Sequence, residues 1–484
     1  AWIDIDRGRP AGVTVDLALA EVSLRLAPAL EPLTLRQVTG RLEATQDASG
    51  VRLAATDFGF RTEDGQAWPL GRLKLGWQQA QGAEPAAPVT GGEFSADRLD
   101  LDLMARLASR LPLGTALHGL LVELAPQGVL NRLTGSWEGA PDAPRRYKLQ
   151  SQLSGLTVAA ADRIGDGAAA GPARPGLRKA DLDFSASERG GEAVLSMADG
   201  ALEFPGVFAE PRLPLQRLSA RLAWTLTPAV AGGPPAVELM VRNARFASAD
   251  AEGELDAVWK SGRTAGVIAG VTADTHPGHL EMTGKITRAR ADRVARYLPL
   301  ALPASVRDYV ADSVEGGQVD SASFRVNGNL RDFPYIDGTQ GEFRISAKLR
   351  DVQFAYVPSH PPRDGQPGHS SAWPALTQVG GELDFEGNGM RIRDARASLG
   401  NVQLRGIMGE IKDFQRPLLQ IEGQGRGPAD EFLRFANGTP VVEWLGDSLR
   451  QASASGAADL KLALTVPLHD TTPIGVRGAI TVAG

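Results

Sequence analysis

The sequence has 484 residues, 43% hydrophobic and 22% charged, with a net charge of −6 and no cysteine. That length exceeds one ordinary core and points to several domains or an array. The charge argues against a general nucleic-acid binder, and the missing cysteines exclude disulfides, thiolate catalysis and cysteine-based metal sites. Gly (56) and Pro (32) are frequent, as in many short strands joined by turns.

Both termini read as interior sequence. Ala1-Trp2-Ile3-Asp4 lacks an initiator Met, a basic n-region and an apolar h-region, and Ile480-Thr481-Val482-Ala483-Gly484 reads as mid-strand. No stretch approaches the ~20 consecutive apolar residues of a membrane-spanning helix. Any anchor or signal is expected outside this piece.

The first predicted element alternates at Val13, Val15, Leu17 and Leu19, then resumes on the opposite parity at Val22, Leu24 and Leu26. Period two means a strand with one apolar face, and a bulge at the parity slip keeps both halves on that face. A second strand follows at Val38–Ala44, a third carries Val51 and Leu53, and an amphipathic helix is expected from Leu99 to Leu107. Asp100 and Asp102 suit its N-terminus, and Gly119 marks the expected return to strand.

The series then recurs. Tyr147, Leu149 and Leu153 slip parity to Leu156 and Val158; Ala180–Phe184 and a weaker strand with Val194 and Met197 follow. A helix is expected from Ala291 through Val314, broken by Pro299 and Pro303, with a return at Gly316-Gly317. Phe343, Ile345, Ala347 and Leu349 slip to Val352, Phe354 and Tyr356; Gly381–Phe385 and a strand with Met390 and Ile392 come next. Ala429–Leu449 is a third helical stretch ending before Gly456, and Val476, Ile480 and Val482 begin a fourth copy. The expected breaks are 81–92, 165–176, 228–235 and the loop 358–371.

These units predict a mainly β chain in four segments. They are a β module over 1–90, a module over 91–235 with a helical insert near 99–111, a module over 236–425 with an insert near 291–314, and an insert plus the start of a further module over 426–484.

Site chemistry is sparse. Of the six histidines, only His276 and His279 are closely spaced, and the Pro-Gly between them signals a turn; no metal site is expected. His360 and His369 fall in a polar loop. The acid pairs Asp4/Asp6, Asp100/Asp102 and Asp181/Asp183 could suggest paired-carboxylate catalysis. On strands, however, that spacing describes a wet face. Gly423–Gly427 lacks a phosphate-loop Lys and reads as a turn leading to Asp430. Trp68, Trp373, Trp444, Phe333 and Phe414 lie beside turns and either meet lipid at a rim or plug sheet ends.

The stretch Arg296-Tyr297-Leu298-Pro299, with Gly316-Gly317, Phe324–Gly328, Asp332-Phe333-Pro334, Gly341-Glu342-Phe343, Trp373-Pro374, Leu383–Gly387, Leu399-Gly400, Asp413-Phe414 and Pro417-Leu418-Leu419, resembles the YhdP family of AsmA-like bacterial envelope proteins. The resemblance is close over about 290–470 and rests elsewhere on the repeat pattern. It implies a periplasmic body anchored in the inner membrane by an N-terminal segment. That body would be an elongated, twisted antiparallel β-sheet curled into an apolar groove. Its expected role is to help phospholipids pass between inner and outer membrane, with no catalytic residues and no cofactor. Three short inserts are too few to cover about 18 strands spaced ~4.8 Å apart. Leu149, Leu153, Phe343, Ile345, Leu349, Val352 and Phe354 are therefore the expected groove lining for acyl chains. Membrane contacts are expected through parts outside this piece, and protein partners stay open. The competing readings are a periplasmic scaffold or regulator of envelope assembly with a closed β core, and an enzyme acting on envelope polymers.

Overall fold

The computed structural model describes all residues except 7–8, 29, 48–49, 80–88, 142, 162–173, 229–234, 262–276, 337, 364–366, 445–450, 469–473 and 484. The expected breaks at 81–92, 165–176 and 228–235 lie largely outside the described residues. The chain is mainly β, with 66% in strands, so its helices can only be inserts. It divides into two compact units: residues 1–205 with 212–244, and residues 206–211 with 245–484. The boundary falls in the strand Ala236–Ala247.

In the first unit, eleven strands from Trp2–Asp6 to Arg212–Thr227 each pair antiparallel with their chain neighbour. In the second unit, ten strands from Ala251–Lys260 to Gly475–Ala483 do the same. Among the described residues, no pairing joins the first and last strands of either ladder. A meander alternates its turns between two margins. One margin holds tight hairpins, such as Glu386–Gly389, where Gly387 takes the left-handed conformation (φ 54°). The other holds the inserts. In the second unit both inserts lie on one margin, because an even number of strands separates them.

The parity slips are bulges. Leu153 opposes Leu182 and Leu156 opposes Ala180; Leu349 opposes Gly381 and Val352 opposes Val379. In each case three residues span what two span on the neighbour, so Leu349 and Val352 share a face. The extra residues take left-handed backbone: Gly155 at φ 66° and Asp351 at φ 51°. Glu21 does the same at φ 50°, but there the neighbouring strand slips in step: Leu19 opposes Val38 and Val22 opposes Leu35. The irregularity then emerges one strand later, between Leu35/Thr62 and Gln37/Arg61. Further left-handed residues sit near the insert margin, at Asp57, Arg132, Lys179 and Asp199 in the first unit and at Gln378, Asp394 and Gly406 in the second.

The first insert begins as expected. Asp100 caps the helix Leu101–Arg106, its carboxylate accepting from the Leu103 N–H at 3.0 Å. Leu103 and Leu107 then fold back onto Leu33, Leu35 and Val38, with Leu17, Val22, Phe58 and Trp68 around them. Gly119 does not return the chain to strand. It lies inside a second helix, Thr115–Leu124, where Leu117, Leu120, Leu121 and Leu124 recur at helical spacing and outweigh the ~1 kcal/mol cost of an interior glycine. Pro299 and Pro303 do divide the second insert, into the 3₁₀ helix Ala291–Tyr297 and the helix Ala304–Ser313. Gly423–Gly427 is not a turn but part of the strand Leu418–Pro428, which leads directly into the helix Ala429–Gly438. Its glycines leave room for neighbours: a Cβ on Gly425 would sit 3.1 Å from Leu404 and 3.7 Å from Phe432. Val194 lies 56% exposed, opposite Asp183 and Arg221, and so faces the polar side; Met197 is buried.

Candidate functional site: a one-sided apolar face

Directly opposed residues of antiparallel strands project to the same side. In the first unit one such row runs Leu53, Leu75, Phe94, Gly135, Leu149, Ala186, Gly191, Trp224. In the second unit a row runs Gly284, Phe324, Ile345, Phe385, Met390, Ile411, Leu419, Val466. Neither row contains a polar side chain. The rows one residue away carry cross-strand ion pairs: Arg41–Asp16 (2.7 Å) and Arg72–Asp97 (3.0 Å) in the first unit, and Arg325–Glu342 (2.8 Å), Arg350–Asp320 (2.7 Å), Arg393–Asp384 (2.6 Å) and Arg344–Glu386 in the second. Each unit therefore has one apolar and one charged face. Exposed pairs of this kind contribute at most about 1 kcal/mol each; their consistent side matters more than their strength.

Cover on the apolar face is uneven. Leu33 and Leu35 are 4% exposed beneath the first insert, whereas Leu42, Leu53 and Leu75 are 37%, 39% and 39% exposed. Solvent-facing leucines in neighbouring strands form an apolar patch, not scattered surface residues.

In the second unit a series of contacts ties the described parts of the insert margin together. The Leu300 N–H donates to the Val207 carbonyl (2.8 Å), and the Tyr309 hydroxyl donates to the Tyr356 carbonyl (3.1 Å). Arg363 pairs with Asp312 (2.7 Å), and Trp373 lies 5.9 Å from Tyr356 and 6.0 Å from Phe435. The described parts of 358–371 are thus pinned to the second insert and do not form a break. Asp250, only 7% exposed, accepts from the Tyr297 hydroxyl (2.9 Å) and from Arg296 (3.2 Å). This anchors the Arg296-Tyr297-Leu298-Pro299 segment. Burial, reinforced by the Asp250 carboxylate, pushes the Tyr297 phenol up to about 12.

The residues expected to line the site are all on apolar faces. Leu149 and Leu153 lie in the first unit; Phe343, Ile345, Leu349, Val352 and Phe354 share one face of the second. Leu153 and Val352 are covered by protein, and the other five are half-buried. The turn aromatics contact other rings, and Phe414 stays 41% exposed. Trp68 stacks on Phe60 (5.4 Å), Phe333 meets Phe343 edge-on (5.4 Å), and Phe414 lies 6.4 Å from Phe385. The Trp444 side chain lies outside the described residues. Alternation alone did not single out Phe94, Trp137, Trp224 and Phe324, each of which lies across from a glycine on the neighbouring strand.

The acid pairs Asp100/Asp102 and Asp181/Asp183 do not converge on a reaction centre. Asp100 is a helix cap, Asp102 pairs with Arg106, and Asp181 and Asp183 accept from the Gly155 N–H (2.8 Å) and Gln152 (3.0 Å). His276 and His469 lie outside the described residues. His279 is 3.1 Å from the Asn327 side-chain oxygen, His118 is 3.3 Å from the Ala108 carbonyl, and His360 and His369 pair across a β-bridge. Among the described residues, no three His, Asp or Glu side chains gather as a metal site, and no helix is long and apolar enough to cross a membrane.

The family model described as YhdP protein matches residues 1–484. The chain belongs to the YhdP family. The match extends the resemblance from about 290–470 to the entire sequence. A curated relative, the intermembrane phospholipid transporter YhdP of Escherichia coli (strain K12), is 24% identical over 488 residues, covering 99% of this chain and 34% of the relative. The chain thus spans about a third of that protein's length. No solved structure matches.

Proposed function

We propose that this YhdP-family chain binds phospholipid acyl chains on its apolar β face and so supports phospholipid transport between inner and outer membrane from the periplasm. The role is non-catalytic, and the face serves as a groove for the tails. The observation that carries this reading is the run of apolar rows backed by a charged face, with Leu42, Leu53 and Leu75 open to solvent. The name of the Escherichia coli relative agrees with it. Each buried methylene of a tail gains ~0.8 kcal/mol, so partial cover of one chain suffices for retention. Leu149, Phe343, Ile345, Leu349 and Phe354 are the proposed contacts, with Leu42, Leu53 and Leu75 added.

The test places a photo-crosslinking residue at Leu383, beside Phe385 on the apolar face, in the intact protein in cells. Wild type is expected to capture phospholipid. Ile345→Asp should accumulate normally and lose that capture. A folded wild type that never captures lipid there would overturn the reading in favour of a scaffold with a closed β core. Failure of Ile345→Asp to accumulate would point the same way, because a charge buried without a partner is strongly destabilising.

A further inference from the structure

Of the aromatic side chains that stand directly across from a glycine on the apolar faces, four fill the space where its Cβ would sit: Phe94 over Gly135, Trp137 over Gly92, Trp224 over Gly191, and Phe324 over Gly284; Phe58, across from Gly71, does not. In all four, a Cβ on the glycine would come within 2.3–2.5 Å of the ring. Each ring therefore lies over its neighbour's bare backbone, in space any other residue would occupy. The arrangement occurs in both units, and always on the apolar side.

We propose that these glycines are positioning residues that keep aromatic rings flat and so set the clearance above the floor for an acyl chain. The proposal rests on the lipid-binding reading and deepens it. A ring lying on the backbone adds about one van der Waals contact, ~3.5–4 Å. A side chain standing off the sheet fills about 5 Å, half the ~10 Å separation of two packed sheets. The difference, about 1–1.5 Å, is roughly a quarter to a third of one tail's thickness. The rows concerned include those of the proposed contacts, since Phe94 and Gly135 share a row with Leu53 and Leu149, and Phe324 shares one with Ile345. Leucine or isoleucine at the aromatic positions would supply similar apolar area without needing the glycine. The paired arrangement thus points to a demand for a low floor as well as an apolar one.

Gly135 offers the cleanest test, because the three nearest atoms to its Cβ position all belong to the Phe94 ring (2.3, 2.4 and 3.1 Å), and no backbone atom comes closer than these. At Gly92, Gly191 and Gly284 a backbone carbonyl also intrudes. Gly135→Ala should lift the Phe94 ring off the floor. The probe is a photo-crosslinker at Leu53, two strands from Phe94, or about 10 Å, within reach of one tail. The intact protein is mixed with vesicles of phosphatidylethanolamine and phosphatidylglycerol. Gly135→Ala is expected to lower capture roughly tenfold, the effect of excluding about two methylenes. Phe94→Ala in the same chain is expected to restore it, with protease resistance of all variants unchanged. Undiminished capture by Gly135→Ala would overturn the proposal, as would loss that the double variant does not restore, since that loss reports damage to the strand and not a raised ring. Absence of capture by wild type at Leu53 would instead sink the lipid-binding reading itself.

Discussion

The strand Leu33–Asp47 contains both kinds of apolar surface found in this chain. Leu35 and Val38, toward the insert margin, are 4% and 6% exposed under Leu103 and Leu107. Leu42, on the same side of the same strand, is 37% exposed. The local pattern is the same at both ends, alternating and one-sided, and what differs is whether an insert arrives to cover it. Burial at the margin holds the insert in place; further along the strand, the same kind of side chain is left for something else to meet.

Charges should separate the two regions most sharply. Leu35→Asp buries a carboxylate with no partner and is expected to cost about 5 kcal/mol or more, enough to prevent accumulation. Leu42→Asp faces solvent and is expected to cost less than about 1.5 kcal/mol, while lipid capture at Leu53 falls. Soluble yield and urea denaturation measure the first quantity, crosslinking the second. Similar instability of the two variants would show that Leu42 is core after all, and the contrast would collapse.

Much of this architecture was legible in the residues. The three-residue step between Leu349 and Val352 revealed a bulge because only an extra residue keeps both on one face, and Asp100 marked a helix start through its cap. The second helix of the first insert was missed because Gly119 reads as a breaker when tertiary burial of Leu121 is unknown. The aromatic–glycine pairs were illegible for a different reason. Phe94 and Gly135 are forty-one positions apart, and only the strand register brings them together. Whether Leu35 or Leu42 is covered depends on the path of residues near 103–107, which period-two alternation does not encode.

The bulge separates insert margin from open face, so removing it should mix them. Deleting Asp351 turns Val352 and Phe354 toward the charged face, or breaks their pairing with Val379 and Leu376. Exposing two such side chains is expected to cost about 3–5 kcal/mol. Calorimetry of the deletion beside Asp351→Ala, which keeps the residue count, checks it: equal losses would mean that the bulge does not set the facing.

A smaller effect probes how the margin is fastened in the second unit, where Asp250 takes the place of a leucine cluster. Tyr297→Phe removes a hydrogen bond to a carboxylate and should cost about 1.5–3 kcal/mol. The pH dependence follows from the raised phenol. Its folded value of about 12 exceeds the ordinary 10, so its contribution is complete below pH 10 and is lost as pH rises from 10 to about 12. Hydrogen exchange over 291–297 should therefore accelerate in that window in wild type more than in Tyr297→Phe. Parallel behaviour of the two proteins would detach the phenol from the fastening.

The smallest expected effect concerns the backbone of the bulge itself. Asp351 (φ 51°) and Gly155 (φ 66°) fill matching places in the two units, one with a side chain and one without. A non-glycine residue in that conformation costs about 1 kcal/mol, somewhat less for Asp. Glycine avoids this, but it loses roughly 0.5–1 kcal/mol more backbone entropy on folding. The two terms nearly cancel, so Asp351→Gly should change stability by less than about 0.5 kcal/mol. Gly155→Val brings a β-branched side chain to the same conformation and should cost about 1–2 kcal/mol. Chemical denaturation of both variants reads the difference. If Asp351→Gly were as damaging as Gly155→Val, the Asp351 side chain would be doing something the bulge geometry does not require, and the two units would differ at the place where they look most alike.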